Sequence, residues 1–269
     1  MLIAVASSSR GGLEFGRALP RALREIRRTS VNWKLHVNEA RSRPTYTMSV
    51  NPHVCVISLP RTPARRARLV DSLERLEVSY EIFFAVDGKF QLDYKDVLRY
   101  AGIRKQRKLR INQVDYLPFS HRTLHERLRF GCYMSHVRLW ERQVKHHSGY
   151  QVILEDDVSL TEGFYGKLMV QMQNLPDTWD IFYLNSCRAM YGELLRPGLR
   201  QLKGALCTFG YAISLKGASK LIQHTAIQSE KPVDHMLDEA IYTALLTAYH
   251  ADPPLIFPRK LESTLAYPS

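Results

Sequence analysis

The stretch Gln151-Val-Ile-Leu-Glu-Asp-Asp157 decides how the rest of the chain is interpreted. Its apolar residues 152–154 predict a short buried strand, and the carboxylates Glu155, Asp156 and Asp157 follow directly. Neighbouring carboxylates repel one another, and a divalent cation with oxygen ligands relieves that repulsion. Because alternate residues of an extended chain point the same way, Glu155 and Asp157 are predicted to face one ion while Asp156 turns aside. The alternative is a solvated acidic turn before the next helix.

The composition is that of a soluble globular protein with a full core. The chain has 269 residues, of which 45% are hydrophobic and 24% charged. No apolar stretch approaches the roughly 18 residues that a membrane-spanning helix needs. Residues 1–6 are apolar but short and have no basic leader, so we expect no signal peptide.

The four cysteines are Cys55, Cys132, Cys187 and Cys207. They show no CxxC pairing and lie mostly in apolar stretches. This pattern predicts four buried thiols in a reducing compartment rather than a zinc site or a disulfide framework.

The net charge of +12 is concentrated in two segments. Residues 1–48 contain 9 Lys/Arg and 3 Asp/Glu, and residues 89–130 contain 11 Lys/Arg and 4 Asp/Glu. Such segments often contact phosphate on a nucleotide, a lipid surface or nucleic acid, although a solvated face is an equal alternative. We interpret residues 1–48 as an extension of unclear role and residues 49–269 as one domain. Residues 89–130 are a variable insert within that domain.

A strand, a helix and a second strand follow one another after residue 52. Val54–Leu59 predicts a buried strand, Thr62 and Pro63 predict the start of a helix, and Tyr80–Val86 predicts the next strand. This βαβ unit favours a mostly parallel sheet. Ligands of such sheets bind beyond the carboxyl ends of the strands, which places residues 60–66 and Asp87 at the edge of a cleft.

The later elements continue the α/β pattern. A helix over 131–144 presents Tyr133, Val137 and Trp140 on one face, which places Ser135 and His136 away from the centre of that apolar stripe. We expect further helices from 163, over 216–224 and from 232, and strands over 179–184, 207–215 and 253–257. The fold class predicted is α/β with a mostly parallel sheet.

Several standard catalytic motifs are missing from the sequence. It contains no P-loop, no GxGxxG fingerprint and no GxSxG nucleophile elbow. The acidic triplet, the arginines after the first strand and the late Asp234 instead suit a metal that clamps a diphosphate leaving group, with one carboxylate free to act as a base.

Six motifs in order resemble glycosyltransferase family 25, which includes lipopolysaccharide-type galactosyltransferases and the C-terminal domain of collagen galactosyltransferases. They extend over about residues 52–258 and are Val56-Ile-Ser-Leu-Pro-Arg-Thr-Pro-Ala-Arg-Arg66, Phe84-Ala-Val-Asp-Gly88, Gly131-Cys-Tyr-Met-Ser-His136 with Trp140, Leu154-Glu-Asp-Asp157, Phe209-Gly-Tyr-Ala-Ile-Ser-Leu-Lys-Gly-Ala218 and Pro232-Val-Asp234. The resemblance implies a GT-A-like, Rossmann-type nucleotide-sugar fold, an inverting mechanism, a UDP-hexose donor and usually Mn²⁺.

The resemblance also implies roles for the acidic triplet and its neighbours. Asp157 would bind the metal with Glu155, while Asp156 or Glu155 would hold the ribose or a metal-bound water. Arg61, Arg65 and Asp87 would lie near the nucleotide. For the arginines a helix-surface charge is the alternative, and for Asp87 a turn.

Further roles follow from the later motifs. Ser135 and His136 would contact donor phosphate or sugar, and Asp234 would be the base that takes the acceptor proton. A carboxylate that merely stabilises a helix N-terminus is the alternative for Asp234. His235 and His250 are weaker candidates for a terminal metal ligand.

The sequence therefore predicts a metal-dependent transferase that moves galactose, or glucose, from UDP to a glycan such as lipopolysaccharide. We expect it in the cytoplasm, peripheral at an anionic membrane, and do not expect nucleic acid as a partner. A protein hydroxylysine acceptor, which would place the chain in the ER lumen, and an inert basic binding module are the alternatives.

Overall fold

The computed structural model describes residues 53–90, 124–146, 149–225 and 231–259. The predicted extension 1–48 lies outside these ranges, as does most of the predicted insert 89–130. The last seven residues of that insert, 124–130, belong to a helix that continues to residue 146. None of the helices within the described ranges has the length and apolarity needed to cross a membrane.

A six-stranded sheet forms the centre of the domain. The strands are β1 (Val54–Ser58), β2 (Tyr80–Phe84), β3 (Tyr150–Glu155), β4 (Val158–Leu160), β5 (Ile181–Arg196), β6 (Gly198–Ser214), β7 (Ala248–Asp252) and β8 (Ile256–Pro258). The large sheet has the order β2-β1-β3-β6-β5-β7, and β4 pairs with β8 in a small separate sheet. Among the described strands of the large sheet, only β6 runs against the other five. The predicted α/β fold with a mostly parallel sheet is confirmed.

Helices cover both faces of the sheet. They are α1 (Pro63–Arg75), α2 (Leu124–His146), α3 (Phe164–Asn174), α4 (Leu215–Thr225) and α5 (Val233–Tyr242). Val54 and Val56 of β1 pack in one core with α1 and α3, whereas Cys55 and Ile57 pack in the other with α2, α4 and α5. Strand alternation thus assigns each residue of β1 and β3 to one layer of helices.

Helix α2 is buried on almost all sides. Ser135 and His136, which are predicted to lie away from the centre of the apolar stripe, are both fully buried. The reason is that α2 packs against the sheet and also against α4 and α5. Apolar periodicity detects one buried face and misses polar residues that are buried on the others.

Strands β5 and β6 form a hairpin much longer than the predicted strands 179–184 and 207–215. Its pairing joins Cys187 to Cys207 in a disulfide, with Cα atoms 5.4 Å apart. The prediction of four reduced thiols is therefore wrong, while Cys55 and Cys132 are free. The two cysteines are 20 positions apart in the sequence, and only the register of the hairpin brings them together.

The predicted last strand, 253–257, is also misplaced. Strand β7 ends at Asp252, before Pro253, and β8 begins only at Ile256. Prolines 253 and 254 separate two strands because neither can donate a backbone hydrogen bond to a sheet.

The chain after β2 crosses α2 at two glycines, Gly88 and Gly131. A Cβ on Gly131 would lie 2.5 Å from the carbonyl oxygen of Val86, and a Cβ on Gly88 would overlap the carbonyl of Arg127. Only residues without a side chain permit so close a backbone approach. The crossing fixes α2 against the end of β2.

Candidate active site

A cleft opens at the carboxyl ends of β1, β2 and β3, beside α2. This is where α/β sheets bind their ligands. Its apolar lining consists of Ile57, Leu59, Ala85, Val86 and Leu128. Its polar lining consists of Arg65, Cys132, Ser135, His136 and the acidic triplet Glu155–Asp157. A pocket that combines an apolar wall with convergent polar groups is typical of a small-molecule site.

Asp156 connects the end of β3 to the start of α1. It is fully buried, and Arg65 Nη2 lies 2.5 Å from its Oδ1. Thr62 occupies the N-cap position of α1, as predicted, but its hydroxyl does not cap the helix. The hydroxyl oxygen lies 3.1 Å from the Leu59 carbonyl oxygen and 3.3 Å from Asp156 Oδ2, and either of these can accept its proton. Asp156 Oδ1 thus forms an ion pair with Arg65, although, like Oδ1 of Asp157, it accepts no hydrogen bond from the described residues. The predicted nucleotide contact of Asp156 stays a prediction.

Glu155 points to the opposite face, toward α2. Thr208 donates its hydroxyl proton to Glu155 Oε1 at 2.5 Å, and His136 Nε2 lies 3.6 Å from the same oxygen. Burial raises the pKa of Glu155, but the contacts with His136 and Thr208 and the charge of Arg65 lower it more, so its pKa falls below the usual value. Glu155 is therefore ionised at neutral pH.

Asp157 is the least satisfied carboxylate of the triplet. Arg65 Nη1 lies 3.5 Å from its Oδ2, while its Oδ1 is buried and has no hydrogen-bond partner in the part of the chain that the structure describes. Burial and the negative charges of Glu155 and Asp156 raise its pKa to about 7 against the influence of Arg65. An additional cation would relieve this destabilised charge. Two carboxylates, one with an oxygen lacking a partner, fit the hard oxygen ligands that Mn²⁺ or Mg²⁺ prefers.

His136 is held by a buried hydrogen-bond network. Its Nδ1 lies 2.8 Å from the hydroxyl oxygen of Tyr211, which also accepts a hydrogen bond from Trp140 Nε1 at 3.0 Å. All three side chains are buried. Ser135 links α2 to the chain after β2. Its hydroxyl donates a hydrogen bond to the Gly131 carbonyl oxygen at 2.8 Å and accepts one from the Val86 amide at 2.9 Å.

Arg61 and Asp87 form an ion pair next to the cleft. Arg61 Nε lies 2.7 Å from Asp87 Oδ2, and the Lys89 amide donates to Asp87 Oδ1 at 2.9 Å. Asp87 is buried between Val86 and Gly88, which both line the cleft. The ion pair therefore supports the edge of the cleft. The predicted contact of Arg61 and Asp87 with a nucleotide stays a prediction.

Asp234 lies in the first turn of α5. Its Oδ2 accepts a hydrogen bond at 3.3 Å from the amide of Cys207, whose φ of +66° is left-handed. Burial raises the pKa of the Cys132 thiol, and the negative charges of Glu155, Asp234 and Asp157 raise it further. Asp234 thus lies close enough to the Cys132 thiol to act on it electrostatically, as Glu155 and Asp157 of the acidic triplet also do.

The two remaining candidates lie apart from these groups. His235 is exposed on α5. His250 is buried on β7, where its Nδ1 lies 2.6 Å from the Ala251 carbonyl oxygen and its ring packs edge-on against Tyr191. Burial lowers the pKa of His250. Within the described ranges, neither histidine forms a hydrogen bond or an ion pair with the acidic triplet.

Sequence reasoning missed three residues of the site, namely Cys132, Thr208 and Tyr211. A signal for Cys132 was present, because it precedes His136 by four residues in a helix and must share its face. Thr208 and Tyr211 lie on the antiparallel strand β6, and the sequence predicts only that they belong to a strand over 207–215. Their contacts with Glu155 and His136 link residues more than 50 positions apart.

Comparison with known proteins identifies the family. The family described as "Glycosyltransferase family 25 (LPS biosynthesis protein)" matches residues 51–194, which is more than half of the chain. The chain belongs to glycosyltransferase family 25. The resemblance inferred from the six motifs is confirmed.

Relatives within family 25 include proteins named as galactosyltransferases and proteins named as inactive. The chain is 34% identical over 216 residues to a Bos taurus protein named probable inactive glycosyltransferase 25 family member 3, covering 75% of this chain and 33% of that protein. It is 29% identical over 229 residues to human procollagen galactosyltransferase 2, covering 76% of this chain and 34% of that protein. The chain spans about a third of the length of these curated relatives.

Among solved structures there is a more distant likeness. The crystal structure of mannose-1-phosphate geranyltransferase from Thermus thermophilus matches with a TM-score of 0.40 and 11% sequence identity. The match covers 74% of this chain and 73% of that one.

Proposed function

We propose that this member of family 25 transfers a hexose, galactose in the first place, from a UDP-sugar to the hydroxyl group of an acceptor with inversion at the anomeric carbon. The observation that carries the proposal is the position of Asp157. A carboxylate with a raised pKa and an oxygen lacking a hydrogen-bond partner among the described residues lies in a cleft at the strand ends. Such a group suits the diphosphate end of a nucleotide-sugar site.

The two halves of the cleft suit the two halves of the donor. The apolar lining at the ends of β1 and β2, which includes Leu59, Ala85 and Val86, offers a surface for a planar base. The acidic triplet forms the other half. Glu155 and Asp157 would hold a divalent cation, which when bound neutralises the charge that develops on the departing UDP.

Arg65 and Asp234 supply the remaining protein groups. Arg65 contacts both Asp156 and Asp157 and so holds the acidic triplet in place. Inversion requires a base that removes the proton of the acceptor hydroxyl. Asp234 suits that role because the Cys207 amide orients one of its oxygens, and its charge acts on the same Cys132 thiol as the acidic triplet.

For the acceptor, the structure favours one of the two alternatives. The disulfide between Cys187 and Cys207 is typical of proteins that mature in an oxidising compartment. A protein hydroxyl, such as hydroxylysine, is then a better acceptor proposal than a lipopolysaccharide made at the cytoplasmic face of a membrane. The human relative named procollagen galactosyltransferase 2 agrees with this preference.

The second candidate is a binding module of the same fold without catalytic activity. It is favoured by Arg65, whose guanidinium already pairs with Asp156 and Asp157 and supplies positive charge without any metal. Several relatives are named inactive, including the Bos taurus protein. This candidate predicts that no UDP-sugar is turned over under any metal condition.

One experiment separates the two candidates. The release of UDP from UDP-galactose, UDP-glucose and UDP-N-acetylglucosamine is measured with and without Mn²⁺. The transferase proposal predicts slow, Mn²⁺-dependent hydrolysis with galactose preferred. It also predicts that Asp157→Asn lowers the rate at least about 100-fold, since a charge-stabilising group is lost.

The matched control is Asp71→Asn, which changes an exposed aspartate of α1 and is expected to leave the rate unchanged. If the wild-type protein neither binds nor hydrolyses any of the three donors, the transferase proposal is wrong. The binding module would then be the better account.

A further inference from the structure

Helix α2 and strand β3 bring three metal-binding side chains together at the inner end of the cleft. Cys132 and His136 are four residues apart on α2 and therefore share one helix face. Glu155, at the end of β3, reaches the same point. One ligand atom from each of the three lies within 4.8 Å of the other two.

The separations are close to those that a tetrahedral zinc ion requires. Zinc–nitrogen and zinc–oxygen bonds of about 2.0–2.2 Å place the two ligand atoms about 3.4 Å apart. The observed distance from His136 Nε2 to Glu155 Oε1 is 3.6 Å. A zinc–sulfur bond of about 2.3 Å places the sulfur about 3.6 Å from the other ligand atoms, so the Cys132 sulfur needs to approach by no more than about 1.2 Å from the 4.8 Å limit.

The orientation of His136 is a second observation. Its side chain is 1% exposed, and its Nε2 faces Glu155 Oε1 at 3.6 Å without forming a hydrogen bond with any described residue. Its other ring nitrogen is fixed by the Tyr211 hydroxyl at 2.8 Å. Metal-bound histidines are held in this way, with one nitrogen hydrogen-bonded and the other turned to the ion.

The donor set and the local charge select the kind of ion. Sulfur and imidazole ligands favour Zn²⁺ over Mn²⁺ or Mg²⁺, which prefer oxygen. The carboxylates Glu155, Asp234 and Asp157 all act electrostatically on the Cys132 thiol. A divalent cation there would enter a region of negative potential.

We propose that Cys132, His136 and Glu155 form a Zn²⁺ site, with the fourth position taken by water. The site shares Glu155 with the carboxylate pair proposed to hold the donor's cation. Zinc bound here would therefore compete with Mn²⁺ for Glu155 and inhibit sugar transfer. The inhibition rests on the proposed function, whereas the zinc site itself does not.

Cobalt spectroscopy tests the site directly. The metal-free protein is titrated with Co²⁺, and the thiolate-to-cobalt charge-transfer absorption in the near ultraviolet is recorded. We expect the band in the wild-type protein, its loss on adding Zn²⁺, and its absence in Cys132→Ser. Glu155→Gln should weaken Co²⁺ binding by about tenfold or more, because the variant lacks one of the charged ligands.

The matched control is Cys55→Ser. Cys55 is the other free cysteine and lies near His53 and Glu81, which form a second group of possible ligands. The band should persist in this variant. A wild-type protein without the band, or a band that disappears in Cys55→Ser and persists in Cys132→Ser, would overturn the proposal.

A measurement on the unaltered protein covers the case in which Cys132→Ser does not fold. Alkylation of Cys132 by iodoacetamide, followed by mass spectrometry, should slow at least about tenfold in Zn²⁺ and remain unchanged in Mg²⁺. Equal alkylation rates in the two ions would refute the site.

The functional consequence is measured separately. Mn²⁺-dependent UDP-galactose hydrolysis should fall with added Zn²⁺, and the fractional loss should be smaller in Cys132→Ser than in the wild type. If the cobalt band is present but no hydrolysis occurs, the zinc site stands and the proposed function fails. If hydrolysis occurs without a cobalt band, the proposed function stands and the zinc site fails.

Discussion

Replacing Arg65 by Met tests whether the protein supplies its own counterion to the acidic triplet. The guanidinium lies 2.5 Å from Asp156 and 3.5 Å from Asp157. Its side chain is 12% exposed, and that of Asp156 is completely buried. Met keeps the length and the apolar part of the side chain, so the main loss is the charge.

The expected cost follows from the burial of the charge that remains. Removing one partner of a buried ion pair destabilises a protein by about 3–5 kcal/mol, because the other charge is left uncompensated. Asp156 can still accept a hydrogen bond from Thr62, so we expect the lower end, about 3 kcal/mol. With a slope of about 3 kcal/mol per molar urea, the unfolding midpoint should fall by about 1 M.

The assay is urea unfolding at neutral pH, followed by circular dichroism. Arg68→Met, an exposed position on the same helix, is the control and should cost no more than about 0.5 kcal/mol. The double variant Arg65→Met/Asp156→Asn should recover most of the loss, because both charges are gone. Equal midpoints for the Arg65 and Arg68 variants would refute the reasoning.

Three further predictions concern the rest of the site. Because the pKa of Asp157 is raised to about 7, its carboxyl group is protonated below that pH in the metal-free protein. Mn²⁺ affinity, measured by calorimetry, should therefore fall about tenfold per pH unit below about pH 7, and Asp157→Asn should remove this pH dependence. Tyr211→Phe should lower the free energy of unfolding, measured in urea, by about 2–4 kcal/mol, because His136 and the Trp140 indole lose their shared hydrogen-bond partner. A loss below about 1 kcal/mol would contradict this account. Replacing Cys187 and Cys207 by Ser removes a cross-link between positions 20 apart and should lower the free energy of unfolding by about 3 kcal/mol in the same assay. An unchanged free energy of unfolding would show that the disulfide does not stabilise the domain.

The sheet and its cleft could be predicted from local patterns. The strand Val54–Ser58, the helix that begins at Pro63 and the strand Tyr80–Phe84 each have a continuous apolar or helical pattern, and together they imply a parallel unit. Such a unit places the ends of its strands at one edge of the sheet. The carboxylates that follow β3 therefore had to lie there.

Features that depend on distant pairing could not be predicted in this way. The Cys187–Cys207 disulfide depends on the register of a long hairpin, most of whose outer part is exposed and lacks an apolar pattern. The burial of His136 depends on helices that pack on α2 from positions about 80 and more residues later in the chain. No local pattern contains that information.

The two glycines at the crossing of β2 and α2 have a consequence for redesign. Because backbone meets backbone at Gly88 and Gly131, the spacing between these two segments is set by the backbone itself. Substitutions at Leu128, which also lines the cleft, can then change the shape of the pocket while this frame stays constant. A library aimed at new donor sugars should vary such lining positions and leave both glycines unchanged.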